Sequence, residues 1–370
     1  MKIYFPAVLK RSTFGGVNQF LSSFIRCLCS RYDYIEVYDH TGRSDGEISV
    51  KDYGAFGNKL RKVILLLHML AFPFKLKGID HVVLNPSLIG SAMNRDLFYA
   101  RVCGLFNVSY SIYFHGWNKI FAERIDGDQK LKSSYAGYIS KSEAVFVLSS
   151  HFKKKLIEWG VPAEKIHLSK TMIDDDFIPD SIIVDQSDGI DILFLSRVVT
   201  EKGIFEVLKS FDLHARNNDK SCLTVAGAGE DLDKAKRFVE ENSIPRVKFV
   251  GHADDVMKKK LFSEHQVYIL PSYAEGMPIS VFEAMAYGLT VITRPVGGIP
   301  DFFVNEKMGY LVDSLEPEVY SDIFDAIESS PGMRVEIAEY NREFVKNNAV
   351  ASAICRDFLE KSIPGECLPK

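Results

Sequence analysis

The sequence lacks the cysteine patterns that mark zinc sites and disulfide frameworks. Its 370 residues include 6 cysteines, at positions 27, 29, 103, 222, 355 and 367, and no two of them form a CxxC pair. Zinc sites and small secreted scaffolds usually depend on such pairs or on a matching histidine spacing. We therefore expect reduced thiols in a cytoplasmic protein.

An excess of basic residues is also missing. The chain has 45 lysines and arginines against 49 aspartates and glutamates, and its net charge is -4. Nucleic-acid-binding proteins normally carry a basic excess, so no nucleic-acid partner is expected. Met1–Phe5 has the pattern of a β-strand rather than that of a charged stretch before an apolar signal core, so secretion is not expected either.

The sequence has no apolar run long enough to span a membrane. Its longest run, Val63–Phe74, is interrupted by His68 and Pro73 and falls short of the roughly 20 residues that a spanning helix needs. Two interpretations stay open: a peripheral surface on an anionic membrane, or a buried helix whose basic ends reach water. The basic flanks within residues 59–77 are Lys59, Arg61, Lys62, Lys75 and Lys77.

The residues that are present predict an α/β protein. Short β-branched or aromatic runs alternate with helical patterns in both halves of the chain, which indicates parallel sheets with helices on both faces. The predicted strands are Ile3–Phe5, Ile35–Tyr38, His81–Leu84, Ser109–Phe114, Ala144–Leu148, Asp191–Leu195, Leu223–Ala226, Val247–Val250, Val267–Leu270 and Val291–Thr293.

The length and the repeated pattern predict two domains, since a typical domain has roughly 150 residues. The pattern restarts after the polar stretch Asp185–Gly189. We expect Rossmann-like domains over residues 1–182 and 183–335, followed by helices over 336–370 that pack back across the first domain. Ligands of open α/β sheets bind outside the carboxyl ends of the strands, so the two domains are expected to face one cleft.

The clearest chemical signal is the segment Pro271–Gly288. It follows a predicted strand, bends at Gly276 and begins a helix near Pro278. The free backbone N–H groups of such a helix's first turn suit a phosphate. Glu275 and Glu283, eight residues apart, are suited to accept hydrogen bonds from sugar hydroxyls. The alternative is that Glu275 caps the helix and Glu283 is an ordinary solvated residue.

A second signal is the segment Ser196–Gly203, which follows the first predicted strand of the second half. Arg197 and Lys202 place two cations beside a helix N-terminus. Such cations are suited to a diphosphate leaving group, whose negative charge grows as the bond to it breaks. They would take the place of a divalent metal ion, so neither a metal nor another cofactor is expected. The alternative is a pair of solvated surface cations.

His115 and Gly116 close the predicted strand Ser109–Phe114. A histidine at the carboxyl end of a strand, next to a glycine that lets a ligand approach, is well placed for a binding site. A lone histidine is more often structural, so this signal has weight only together with the others.

Glycine loops follow two further predicted strands. Gly15-Gly16 comes after the first strand of the chain and allows close approach of a phosphate or an acceptor. Gly227-Ala228-Gly229 is similar, but Leu232 stands where a dinucleotide fingerprint needs its third glycine. A NAD-dependent dehydrogenase is therefore disfavoured.

Together these segments resemble the retaining family-4 glycosyltransferases of GT-B fold, and the resemblance covers nearly the whole chain. The shared motifs are Gly15-Gly16, His115-Gly116, Arg197 with Glu201-Lys202-Gly203, Gly227-Ala228-Gly229, Gly251, the pair Glu275 and Glu283, Gly297-Gly298-Ile299-Pro300-Asp301 and Gly309-Tyr310-Leu311-Val312. The Glu275–Glu283 segment is specific, whereas the glycine motifs are not. Thr171-Met172 and Asp301 depart from the usual residues of the family.

The resemblance implies a role for each of these positions. Arg197 and Lys202 would hold the donor diphosphate, Glu283 the ribose and Glu275 the hydroxyls of the transferred sugar. The backbone of Gly276 and Met277, just before Pro278, would contact the phosphate or the sugar. His115 would approach from the other domain. The glycines Gly15, Gly16, Gly229 and Gly251 would line the substrate site.

The resemblance also implies an activity. The chain would transfer a sugar, with retention and without a metal ion, from a UDP- or GDP-sugar to a glycan or lipid-linked oligosaccharide. The expected context is the synthesis of cell-surface polysaccharide (lipopolysaccharide, O-antigen or capsule) at the inner face of the cytoplasmic membrane. The alternatives are a nucleotide-sugar epimerase or another nucleotide-sugar enzyme on the same fold, and a non-catalytic partner that docks through Val63–Phe74.

Overall fold

The computed structural model describes residues 1–6, 16–39, 42–44, 58–86, 90–182 and 188–363. The chain divides into two compact units. The first consists of Met1–Met172 together with Ala351–Lys370, and the second of Ile173–Val350. Each unit is built on its own β-sheet, and each is described by itself below.

Within the described residues, the first unit has a sheet of seven strands. They are β1 (Lys2–Tyr4), β2 (Glu36–Asp39), β3 (Gly42–Ser44), β4 (His81–Leu84), β5 (Ser109–Phe114), β6 (Val145–Val147) and β7 (Ile166–Leu168). Their order is β3-β2-β1-β4-β5-β6-β7. All neighbours are parallel except β3, which is antiparallel to β2.

Six helices lie between these strands in the described part of the first unit. They are α1 (Gly16–Arg31), α2 (Asn58–Lys75), α3 (Gly90–Phe106), α4 (Lys119–Asp126), α5 (Gln129–Ile139) and α6 (Ser150–Glu158). In α1, the period of 3.6 residues places Phe20, Leu21, Phe24, Ile25 and Leu28 on one face, and all five are buried. Helices α2 and α3 pack against each other.

In the second unit, all neighbouring strands of the described residues are parallel. The strands are β8 (Asp191–Leu195), β9 (Cys222–Ala226), β10 (Val247–Gly251), β11 (Val267–Leu270), β12 (Thr290–Thr293) and β13 (Gly309–Leu311). Their order is β10-β9-β8-β11-β12-β13. The helices are α7 (Ile204–Asn217), α8 (Leu232–Glu241), α9 (Asp255–Glu264), α10 (Ile279–Ala286), α11 (Pro317–Glu328) and α12 (Pro331–Asn348).

The strand order of the second sheet reverses beside β8. The chain proceeds from β8 to β9 and β10 on one side, then returns to place β11, β12 and β13 on the other. In open α/β sheets, ligands bind outside the carboxyl ends of the strands at such a switch point. The loops that follow β8 and β11 therefore flank the expected ligand position of this unit.

The boundaries between the units differ from those predicted from sequence. The division falls after Met172 rather than at residue 182, and the predicted third segment begins inside α12, which packs on α10 in the second unit. Asn341 of α12 donates hydrogen bonds to Leu289 O (2.9 Å) and Met308 O (3.0 Å), which fixes the helix there. Only the last helix, α13 (Ala351–Ser362), belongs to the first unit, where it packs on α1.

The apolar run Val63–Phe74 lies in α2, and the interpretation as a buried helix whose basic ends reach water is wrong, because one apolar face is exposed. Phe72 is buried in the core of the first unit, but Leu70 and Phe74 are exposed. Among the described residues, no helix has the length and apolar character needed to cross a membrane.

Candidate functional site

The loop after β8 carries the two predicted cations of the second unit. The side chain of Arg197 is exposed and has no hydrogen bond or ion pair within the described part of the chain, whereas its backbone carbonyl accepts from Val199 N at 3.0 Å. Lys202 ends a short 3-10 turn, Thr200–Lys202, that leads into α7 through Gly203. Gly203 has a φ of +78°, and an added Cβ would lie 2.6 Å from Pro271 O. The loop therefore packs directly against the start of the loop that follows β11.

An ion pair joins these two loops across the switch point. Lys202 Nζ donates to Glu275 Oε1 at 2.5 Å, and both side chains are largely buried. The backbone adds a second link, because Tyr273 N donates to Glu201 O at 2.9 Å. A charge-assisted hydrogen bond of this length fixes the positions of the ammonium and the carboxylate. The structure thus brings together Lys202 and Glu275, which are 73 residues apart in the chain.

The loop that contains Glu275 is held by the glycine pair that follows β12. Gly298 N donates to Gly276 O at 2.7 Å. Gly297 has a φ of +60°, and an added Cβ would lie 2.2 Å from Glu275 O. Pro278 is the N-cap of α10, with no side-chain cap, so the helix begins one residue later than predicted. Its first-turn N–H groups lack intrahelical partners, which is the property that an anion site uses.

Glu283 is buried inside the unit rather than solvated. The side chain of Glu283 on α10 accepts a hydrogen bond from Lys258 Nζ on α9 at 2.8 Å. Lys258 also lies 3.1 Å from Asp255. Burial alone lowers the pKa of Lys258, but the carboxylates of Glu283 and Asp255 outweigh it and raise the pKa above its ordinary value.

Lys258 is a residue that the sequence analysis missed. A buried carboxylate needs a partner, so the predicted position of Glu283 on an apolar helix was the available signal. Nothing in the sequence identifies which lysine provides that partner.

The glycine loop after β9 packs on the loop that carries Arg197. An added Cβ on Gly227 would lie 1.8 Å from Ser196 O, and one on Gly229 would lie 2.1 Å from Val198 O. Gly227 N donates to Gly251 O at 2.6 Å, which joins β10 to the same group of loops. Gly229 and Gly251 therefore lie at the carboxyl edge of the sheet, beside the cations.

Asp231, also missed from sequence, fastens the two loops. Its Oδ2 accepts hydrogen bonds from the backbone N (2.8 Å) and the hydroxyl (2.9 Å) of Thr200, and Lys234 lies 2.7 Å from its other oxygen. The hydrogen bonds to Lys234 and Thr200 lower the pKa of Asp231.

His115 lies in the first unit, at the carboxyl edge of its sheet. Its Nε2 is 3.0 Å from Oδ1 of Asn85, which follows β4. The ring stacks on Tyr113, with 4.6 Å between centroids, and meets the edge of Phe20 at 4.5 Å. Burial lowers the pKa of His115 to about 3, so the imidazole is neutral at neutral pH.

The structure describes two of the three predicted site glycines of the first unit, Gly116 and Gly16. Gly116 follows His115, and an added Cβ would meet no atom within 4 Å. Gly16 is the first residue of α1, whereas Gly15 lies outside the described residues. Of the predicted Gly15-Gly16 loop, only Gly16 therefore lies among the described residues.

One group of metal-type ligands occurs among the described residues, and it is not part of these loops. His214, Asp325 and Glu328 have ligand atoms within 4.8 Å of one another. They lie in the last turns of α7 and α11, whereas the N-terminus of α7 follows the carboxyl edge of the sheet. The group is thus at the opposite end of α7 from Lys202.

Comparison with solved structures defines the class of fold. HepE from Anabaena, in a crystal structure with UDP, is similar with a TM-score of 0.73 and 15% sequence identity, over 97% of this chain and 99% of that chain. At this identity the likeness concerns the fold alone. The chain therefore has the GT-B fold of two Rossmann-like units, which confirms the predicted fold class.

Residues 181–344 match the family model Glycosyl transferases group 1. The amylovoran biosynthesis glycosyltransferase AmsK of Erwinia amylovora is 26% identical over 191 residues, 49% of this chain and 46% of the relative. The capsular polysaccharide biosynthesis glycosyltransferase CapM of Staphylococcus aureus is 25% identical over 195 residues, 51% of this chain and 48% of the relative. The chain spans about half the length of these curated relatives.

Proposed function

We propose that this protein is a retaining glycosyltransferase that moves a sugar from a UDP- or GDP-sugar to a glycan or lipid-linked oligosaccharide. The observation that carries the proposal is the Lys202–Glu275 ion pair at the switch point of the second sheet, beside the exposed Arg197. The similarity of residues 181–344 to the group 1 glycosyltransferases supports it. The biological context is synthesis of cell-surface polysaccharide, as in the name of CapM.

The proposed donor site lies at the carboxyl edge of the second sheet. Arg197 and Lys202 bind the diphosphate, and the N–H groups at the start of α10, after Gly276, Met277 and Pro278, add a concentration of positive partial charge. HepE is similar in fold and was crystallised with UDP and with UDP-glucose, which supports a nucleotide-sugar donor. Gly229 and Gly251 have no side chains, so the nucleotide can approach their backbone.

Bond cleavage places new negative charge on the leaving diphosphate. The bond between the anomeric carbon and the phosphate oxygen breaks, and the hydroxyl oxygen of the acceptor bonds to the same face of that carbon. The hydroxyl proton passes to the departing phosphate. Fixed cations stabilise this charge without reorganising, and therefore lower the barrier. Arg197 and Lys202 supply the positive charge that stabilises the diphosphate, so no metal ion or other cofactor is required.

The carboxylates have separate tasks in this proposal. Glu275 fixes Lys202 with one oxygen and accepts a hydrogen bond from a sugar hydroxyl with the other. Glu283, paired with Lys258, binds the ribose after a modest rearrangement of its buried side chain. His115 is neutral, so it can donate or accept a hydrogen bond to the sugar without adding charge.

The decisive experiment measures turnover with a panel of UDP- and GDP-sugars, first identified by the rise in melting temperature that a donor causes. Lys202→Ala should lower turnover by roughly a hundredfold or more, because the negative charge on the leaving diphosphate loses a cation that stabilises it. Lys209→Ala is the matched control, since Lys209 is an exposed lysine of α7, and it should leave turnover unchanged.

Two results would overturn the proposal. Lys202→Ala with full turnover would remove the role of the ion pair. Conversion of the donor sugar to its epimer, with no acceptor in the reaction, would identify a nucleotide-sugar epimerase instead. Retention is tested separately, by determining the anomeric configuration of the product by NMR.

A further inference from the structure

Helix α2 carries an apolar surface that faces solvent. Val63, Leu66, Leu67, Leu70 and Phe74 are each between 49% and 84% exposed. Their spacing of three or four residues places them on one side of the helix. We call these five residues the α2 stripe. Single exposed leucines are ordinary on a protein surface, but a contiguous row of this kind indicates a contact with another apolar phase.

The opposite side of α2 is also apolar and is already occupied. Phe72 and Leu76, just after the helix, are buried in the core of the first unit, and Met69 packs against that core. Phe72 contacts Tyr99 of α3 with 4.4 Å between ring centroids. The fold therefore needs only one face of α2, and the α2 stripe is additional to what packing of this unit requires.

The end of α3 extends the same apolar region. Leu105 and Phe106, in the last turn of α3, are 80% and 55% exposed. Strands β4 and β5 are parallel neighbours, and α2 leads into β4 as α3 leads into β5. Both helices therefore end at the amino edge of the sheet, so Phe74 and the end of α3 occupy the same end of the unit.

The charge around the α2 stripe has one sign. No aspartate or glutamate occurs between Asp52 and Asp80, whereas the segment contains Lys59, Arg61, Lys62, Lys75 and Lys77. Phospholipid surfaces rich in anionic headgroups attract such a segment, and their acyl region accepts its apolar side chains. A second copy of this chain would bring the same cations to a twofold contact, where they would repel one another.

We propose that the α2 stripe is the membrane-contact surface of this protein, with α2 lying in the plane of an anionic phospholipid layer. Leu70 and Phe74 enter the acyl boundary, and the flanking cations contact the headgroups. The contact holds the first unit at the membrane by one helix face, without crossing the bilayer. It does not depend on the proposed sugar transfer, because it uses no residue of the donor site.

The test measures sedimentation of the purified chain with vesicles, without donor or acceptor. Vesicles of phosphatidylcholine mixed with phosphatidylglycerol should bind the protein, and vesicles of phosphatidylcholine alone should bind it more weakly. Added salt should weaken binding to the anionic vesicles, because it screens the cations. Leu70→Gln with Phe74→Gln should reduce the vesicle-bound fraction by about tenfold or more, since two large apolar side chains no longer enter the lipid.

A matched control separates lipid insertion from general loss of surface hydrophobicity. Ile120→Gln with Val256→Gln changes two residues that are each 79% exposed but lie outside the α2 stripe, and it should bind vesicles like the parent. Equal binding by the Leu70 and Phe74 variant would refute the proposal. So would a stable dimer that buries the stripe and binds no vesicles. If the parent protein transferred sugar but did not bind anionic vesicles, only the membrane-contact surface would be refuted. If the parent protein bound the vesicles but transferred no sugar, only the proposed function would be refuted.

Discussion

The two units use the same parallel-sheet arrangement but surround their glycines differently. In the second unit, an added Cβ on Gly227, Gly229 or Gly297 would lie 1.8 to 2.2 Å from a backbone oxygen of a neighbouring loop. In the first unit, an added Cβ on Gly104 or Gly116 would meet nothing within 4 Å. The loops that carry Gly227, Gly229 and Gly297 are therefore packed onto one another, and these three glycines are required by contact, whereas Gly251 of the same unit would admit a Cβ.

The units also bury different titratable groups. The second unit buries the charged pair Lys258–Glu283 and most of Lys202–Glu275. The first unit buries the neutral ring of His81 between Ser109 and Ser111. It also buries the carboxylate of Asp96, which pairs with the neighbouring Arg95 at 2.9 Å. A unit built to bind a charged donor is expected to fix its own charges in advance, since preorganised charge is what stabilises a developing anion. Both units thus bury a paired charge, and the difference is that Lys202–Glu275 joins the loops after β8 and β11 at the switch point of the second sheet.

The largest expected effect tests the glycine contrast. Gly227→Ala places a methyl group against Ser196 O at a residue whose φ is +145°, so both a clash and backbone strain result. We expect a loss of about 4 kcal/mol in the free energy of unfolding. Gly116→Ala should change it by less than about 0.5 kcal/mol. Urea unfolding of both variants measures the difference.

The contrast between the units would break if Gly227→Ala were as stable as the parent. That result would mean that the loops after β8 and β9 move apart at little cost, and that the close packing is not required. A large loss in the free energy of unfolding of Gly116→Ala would instead show that the first unit is packed more tightly at this position than the open space around the glycine implies.

The next effect concerns the buried pair. Lys258→Met leaves the carboxylate of Glu283 buried without its main cation, so we expect a loss of about 3 kcal/mol. Lys258→Met combined with Glu283→Leu should recover much of the loss, because neither charge then remains buried. Thermal unfolding at neutral pH checks both. Lys220→Met is the control, since Lys220 and Asp188 form an exposed pair that should leave the melting temperature unchanged.

Recovery in the double variant would separate the cost of a stranded charge from any general intolerance of substitution on α9 and α10. If Lys258→Met alone had no effect, Glu283 would be stabilised by other contacts, and the argument that the second unit depends on paired buried charge would be wrong.

Much of the sheet was predictable because buried parallel strands are continuous apolar runs. His81–Leu84, Ser109–Phe114, Asp191–Leu195 and Val267–Leu270 match their predicted bounds, and six other predicted strands differ by a residue or two at an end. The strands β3, β7 and β13 were missed. Each has three residues and includes a glycine or a polar residue, so no continuous apolar run stands out. The equally short β1 and β6 were predictable because they lie in the apolar runs Ile3–Phe5 and Ala144–Leu148.

The site was less predictable where it depends on distant residues. Glycine and carboxylate patterns identified the loops with Arg197, Lys202 and Glu275, because such patterns are local. Lys258 and Asp231 act on residues 25 and 31 positions away, and no local signal joins them. The exposure of the α2 stripe was likewise undetermined, because an apolar helix has the same sequence whether both of its faces are covered or only one.

The smallest effect tests the neutral histidine of the first unit. His81 Nδ1 lies 2.8 Å from Ser109 Oγ, and Ser109 donates to Asp80 O, so we assign the proton to Nδ1 and let Nε2 accept from Ser111 Oγ at 3.0 Å. Burial lowers the pKa of His81 to about 3. Between that value and the ordinary 6.5, the unfolded chain binds a proton that the folded chain does not, and stability therefore falls as the pH falls.

The difference in the free energy of unfolding between pH 7 and pH 5 should be smaller in His81→Gln by about 2 kcal/mol, since glutamine binds no proton in this range. Urea unfolding at the two pH values measures it. His151→Gln changes an exposed histidine of the same unit and should leave the difference as in the parent. An unchanged difference in His81→Gln would mean that the ring takes up its proton in the folded state. Burial would then not keep the His81 ring neutral, and the proposed serine-held neutral histidine of the first unit would be wrong.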